Sequence, residues 1–190
     1  KSDSFTYSFG SDDKDVLFYE CYPYVRSDWD RFIKKYEKYL GSHIALETLC
    51  RSRKCADVPA ARFGCINKTP KFRFLITARH HASETMGSFV VEGAAETFLG
   101  DDALGEWLRE NAELMVVPFV DYDGAQAGDQ SKGRMPHDHN RDYLQFIYPE
   151  TKAITQWIAT HANGSLHTFL DIHCPWIRAW ENEKVYSPLK

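Results

Sequence analysis

Short apolar runs that alternate with amphipathic helical stripes constrain this chain more than any other feature. Residues 16–22 (VLFYECY), 43–49, 72–77 (FRFLIT), 114–120 (LMVVPFV) and 168–172 (TFLDI) are rich in β-branched and aromatic side chains and are bounded by polar residues, glycine or proline, so each predicts a strand. Glu20 and Pro23 suit the first of them to a sheet edge. Between the runs, Trp29, Phe32, Ile33, Tyr36 and Leu40 stripe one face of a helix over residues 28–40, which Gly41 ends. Met86, Phe89, Val90, Ala94, Phe98 and Leu99 repeat that spacing, with Ser83 placed to cap the start and Gly100 just past the end. A short helix follows from Asp102 (Leu104, Trp107, Leu108), and another runs from about Pro149 to His161 (Ile154, Trp157, Ile158). Strands separated by helices require crossover connections. The expected fold is therefore α/β, a mixed and mainly parallel sheet with helices on both faces. In such sheets ligands gather beyond the carboxyl ends of the strands.

Composition narrows the function classes. At 190 residues, the chain has the length of one medium domain or of part of a larger one, and 43% hydrophobic residues supply a core that excludes disorder. A net charge of -4, no long polycationic stretch and no apolar run of bilayer length argue against a nucleic-acid partner or a membrane span. Five cysteines make an odd count without a dense framework, and Cys50, Cys55 and Cys65 match no zinc-ribbon spacing, so buried free thiols are expected. The first residues lack a secretory signal, as a mature secreted chain also would; the compartment leans to the cytoplasm, with secreted or periplasmic locations open.

Chemistry concentrates after two of the runs. FRFLIT leads directly into Ala-Arg-His-His81-Ala-Ser-Glu84, where a histidine and a glutamate three apart on a first helical turn share a face. An imidazole nitrogen with a carboxylate oxygen suits zinc, although such a pair alone more often describes a surface histidine beside a glutamate that favours the helix dipole. TFLDI delivers His173 at another strand end, completing three protein ligands with a fourth position open, the arrangement of catalytic zinc. Asp171, two residues earlier and on the same strand face, is placed to orient a ligand, to touch substrate, or to be a buried carboxylate held by backbone amides. Residues 124–143 read as a long polar loop that collects Arg134, Asn140 and Arg141, donors matched to a carboxylate. A solvated basic loop, or metal chelation by His137 and His139, are its other readings.

Taken in order, His81-Ala-Ser-Glu84, then Asp123-Gly124 with Arg134 and Asn140-Arg141, then Leu-Asp-Ile-His173 resemble the zinc carboxypeptidase family, and more closely its branch related to cytosolic carboxypeptidases. Ala-Ser stands where that branch more often has Pro-Gly, Tyr122 stands where it has proline, and the stretch between Arg134 and Asn140 is short. The resemblance implies one zinc ion per chain on His81, Glu84 and His173. Arg134 would polarise the scissile carbonyl and stabilise its oxyanion, while Asn140 and Arg141 hold the substrate's terminal carboxylate. It implies hydrolysis of C-terminal peptide bonds, in peptides or protein tails, through a zinc-activated water. Residues 1–24 would be the end of a preceding β-rich segment and the first strand, and residues 25–190 the N-terminal part of the catalytic domain. The family's general base, closing tyrosine and specificity pocket are expected past Lys190, since Glu181 and Glu183 lie too near His173; the fold would then be incomplete at its C-terminus. An amidohydrolase of N-acyl amino acids on the same scaffold and a non-catalytic zinc- or peptide-binding relative are the alternatives.

Overall fold

A computed structural model describes residues 6–18, 21–129, 134–161 and 166–174. The central strands are apolar on both faces, which forces them inside. Helix α1 (Arg26–Lys35) precedes strands β1 (Ile44–Arg51), β2 (Asp57–Gly64) and β3 (Phe72–Ala78). Helices α2 (Met86–Leu99) and α3 (Ala103–Asn111) lead to β4 (Ala112–Val117), and α4 (Tyr122–Ala127) and α5 (Pro149–His161) lead to β5 (Leu166–Ile172). Short 3-10 turns occupy Glu37–Tyr39 and His139–Arg141.

The sheet order is β1-β2-β4-β3-β5. Strand β2 is antiparallel to both neighbours, whereas β3 is parallel to β4 and to β5, so every strand except β2 runs the same way. This is the expected mixed, mainly parallel sheet. Period-2 alternation divides its side chains between two cores. Leu114 and Val116 of β4 join Trp29, Phe32, Val91 and Phe98 beneath α1 and α2, while Met115 and Val117 join Leu75 and Ile154 beneath α5. All six residues of β4 are buried, as a strand covered on both faces must be.

Several sequence expectations shift. Residues 16–18, 21 and 22 join no strand, and residues 19 and 20 lie outside the described residues. Leu17, Phe18 and Tyr22 stand 72%, 55% and 80% exposed, so apolar character there is not matched by a sheet to bury it. Helix α1 stops at Lys35 and tightens into the 3-10 turn instead of continuing to Leu40. Thr85, not Ser83, flanks the start of α2, without a side-chain cap. Strand β2 was not expected, because Pro59, Ala60 and Ala61 weaken its β signal. Pro59 is tolerated because the β2–β4 ladder covers only Ala61 to Gly64, and the β1 pairing shifts register beside it. Gly64, at φ +93, closes β2 against β4: a Cβ there would lie 2.4 Å from the Ala112 carbonyl oxygen. The stretch expected as an open loop begins inside α4 and contains the second 3-10 turn. All five cysteines are unbridged.

The β3–β5 register sets the site. Thr77 pairs with Asp171 and Ala78 with Ile172, so the chain segments that leave these neighbouring strands carry His80 and His81 on one side and His173 on the other. Buried Arg79, in the left-handed region at φ +64, pins the first segment by donating to the Tyr24 and Ala82 carbonyls and to Ser88 Oγ.

Candidate metal centre

His81 and Glu84 lie on the turn between β3 and α2, where Glu84 N bonds the His81 carbonyl at 3.1 Å. Their side chains meet, with His81 Nδ1 2.8 Å from Glu84 Oε1. From β5, His173 Nδ1 approaches the other oxygen, Glu84 Oε2, at 2.7 Å. The three residues thus offer two imidazole nitrogens and a carboxylate within 4.8 Å of one another. His173 is held from both sides, since its Nε2 lies 2.7 Å from Asp171 Oδ2. Bonds to Asp171 and Glu84 raise its pKa to about 10, which makes it an imidazolium between two carboxylates. Burial alone would raise the Glu84 pKa, but bonds from His173 and His81 outweigh that and hold it below the ordinary range. A metal ion fits where a proton now bridges, because the same nitrogens and oxygens that share the proton are zinc donors. The second His81 nitrogen, Nε2, is buried without a hydrogen bond among the described residues, and Asp138 Oδ1 stands 3.3 Å away.

Asn140 joins this cluster: its amide Nδ2 lies 3.3 Å from His173 Nε2. Arg141 is exposed beside it and donates to the Asn140 carbonyl at 3.3 Å. Arg134 is placed differently. Its Nε and Nη2 form a bidentate pair with Asp121, at 2.8 and 3.1 Å, and its Nη1 donates to Asp129. With Arg53, Lys54, His139, Tyr148 and Glu150 it lines a cavity of about 260 Å³. Gly124 allows this arrangement, because Asp121 folds back to accept the Gly124 N–H and a Cβ there would lie 2.4 Å from Asp121 Oδ2. Asp123 serves the scaffold, accepting from Ser52 Oγ and the Lys54 amide.

His137 and His139 belong to no group of three potential metal donors among the described residues. His139 stacks on Tyr148 at 3.5 Å between ring centres, and burial pushes its pKa down to about 3, so it is neutral. Asp142 ties the stretch down by accepting from the Ile147 and Tyr148 amides and from Thr151 Oγ1. Glu181 and Glu183 lie outside the described residues.

No protein-family model matches the chain. Over 151 residues it is 31% identical to cytosolic carboxypeptidase 2 of Xenopus tropicalis, a match covering 76% of this chain and 16% of that one. Over 180 residues it is 25% identical to cytosolic carboxypeptidase 6 of Mus musculus, covering 90% and 33%. Among solved structures, a metallo-carboxypeptidase from Burkholderia cenocepacia superposes with a TM-score of 0.67 at 21% identity, over 80% of this chain and 42% of that one. A metallo-carboxypeptidase from Pseudomonas aeruginosa gives 0.66 at 26% identity, over 80% and 40%. The cytosolic carboxypeptidase relatives and the metallo-carboxypeptidase structures support a likeness to the zinc carboxypeptidase family. The chain spans 16% and 33% of the two curated relatives named above.

The sequence alone did not single out His80, Asp138 and Tyr143. His80 Nδ1 lies 2.7 Å from Asp171 Oδ1 and its Nε2 lies 2.6 Å from the Tyr143 hydroxyl. Position beside His81 and two residues before Asn140 was the available signal for His80 and Asp138; nothing local marked Tyr143.

Proposed function

We propose that this chain carries the metal centre and the carboxylate-binding side of a zinc metallocarboxypeptidase, which removes C-terminal residues from peptides or proteins. The observation that supports it most is the meeting of His81 Nδ1, the Glu84 carboxylate and His173 Nδ1 beyond the carboxyl ends of two adjacent parallel strands. In this reading those three residues hold one zinc ion per chain, which when bound supplies Lewis acidity and makes water acidic near neutral pH. Arg141, exposed beside Asn140, offers a guanidinium fork for the substrate's terminal carboxylate, and the Asn140 amide adds a further donor. Among the described residues Arg134 gives three of its five N–H groups to Asp121 and Asp129; in this reading the other two stabilise an oxyanion, with the Asp121 pair fixing the plane of the guanidinium. Residues 25–190 belong, in this reading, to the catalytic domain, and residues 1–24 lead into it from a preceding β-rich segment.

The test is C-terminal residue release by the full-length protein before and after chelation. Release should stop on metal removal, return with one equivalent of zinc, and be absent in His81→Ala. Release that survives both chelation and His81→Ala would overturn the proposal.

A further inference from the structure

Asp171 stands where three elements meet. On β5 it pairs with Thr77 of β3, whose hydroxyl donates to Asp171 Oδ1 at 2.8 Å. His80 Nδ1 reaches the same oxygen at 2.7 Å, and His173 Nε2 reaches Oδ2 at 2.7 Å. An ionised carboxylate only accepts, so both imidazoles must turn an N–H toward it. For His80 this leaves Nε2 as the acceptor, and the Tyr143 hydroxyl 2.6 Å away donates to it. For His173 it leaves Nδ1 as the nitrogen that can give a lone pair, and Nδ1 is the atom that faces Glu84. The 3.3 Å approach of Asn140 to His173 Nε2 agrees with this assignment once the amide oxygen, rather than the nitrogen, faces the ring.

We propose that Asp171 is a positioning residue for the metal centre: it fixes His173 as the Nε2–H tautomer with Nδ1 aimed at the ion, and through His80 and Tyr143 it ties that ligand to the turn bearing Asn140 and Arg141. The inference rests on the zinc reading above and deepens it. His80, Asp171 and His173 also converge closely enough to act as ligands themselves. The positioning role is favoured because both nitrogens of His80 already have protein partners, and because a metal on His173 Nε2 would remove the N–H that Asp171 accepts.

Zinc affinity of the full-length protein, measured by chelator competition, should fall roughly 10- to 100-fold in Asp171→Asn, a near-isosteric change that keeps one acceptor but turns an NH2 toward one of the rings. Nitrogen-15 histidine spectra of the zinc-loaded protein should show His173 bound through Nδ1 with Nε2 protonated, and should show mixed or exchanging forms in Asp171→Asn. His80 should be the Nδ1–H tautomer in the metal-free wild type and lose that preference in Asp171→Ala, a readout independent of zinc. Unchanged affinity together with unchanged tautomers in both variants would overturn the proposal. So would two zinc ions per chain with one lost in His80→Ala, which would make these residues ligands. If the wild type binds no zinc, the zinc reading fails separately, and the His80 tautomer still decides whether Asp171 orders the imidazoles.

Discussion

Glu150, at the start of α5, is 2% exposed, and its Oε2 has no hydrogen-bond partner among the described residues. Burial, together with Asp123, Asp121 and Asp142 nearby, pushes its pKa up from 4.5 to about 7. The folded protein therefore holds a proton there that the unfolded chain releases above about pH 4.5. Stability from this group is fully present below that pH and is lost as pH rises through 7. At about 1.4 kcal/mol per pH unit over the interval, the loss comes to about 3 kcal/mol. Glu150→Gln removes the titration while keeping the shape. The variant should match the wild type near pH 4.5, apart from a constant offset, and exceed it by about 3 kcal/mol at pH 8, which is about 6–12 °C in melting temperature for a domain of this size. Denaturation of both proteins at half-unit steps from pH 4.5 to 8.5 measures the difference. Parallel stability curves would refute the reasoning, because they would mean that Glu150 ionises in the folded state as readily as in the unfolded one.

Arg141→Ala should weaken binding of peptides with a free C-terminus about 10- to 100-fold, the loss of a charge-assisted contact, and leave carboxyl-amidated peptides nearly unaffected in the same competition assay. Arg134→Ala strands Asp121, which is 1% exposed, and should cost about 3–5 kcal/mol in urea unfolding; Arg134→Lys should recover part of that stability but not the bidentate pairing. Leu114→Ala empties a fully packed position of β4 and should cost about 2–5 kcal/mol in the same measurement. Gly64→Ala should destabilise and disturb the β2–β4 contact, since both φ and the Ala112 oxygen oppose a Cβ.

Strands β3 and β4 were legible from their apolar runs: LMVV is unbroken and fully buried, FRFLIT is interrupted only by Arg73 and Thr77, and β3 leads straight into chemically distinctive residues, as does the more exposed β5. Strand β2 was hidden because its burial comes from its neighbours on both sides rather than from its own alanines and proline. Helix α4 was hidden because Asp121 and the packing of Tyr122 and Ala125, not propensity, hold a segment containing glycine. His81, Glu84 and His173 could be picked out as strand-end residues of ligand type. Their partners could not. The pairing of Arg134 with Asp121, and the approach of Asp138 to His81 and of Tyr143 to His80, depend on how residues 134–148 fold back, which Asp142 fixes through contacts to Ile147, Tyr148 and Thr151. No local spacing encodes such a return.

X-ray absorption on the zinc-loaded protein tests the central claim most directly, because it reports the ligand atoms themselves. The expected result is one zinc per chain with imidazole nitrogens and carboxylate oxygen at about 2.0–2.2 Å, a shell lost in both His81→Ala and His173→Ala. A sulfur shell at about 2.3 Å would place the ion on the cysteines and contradict it.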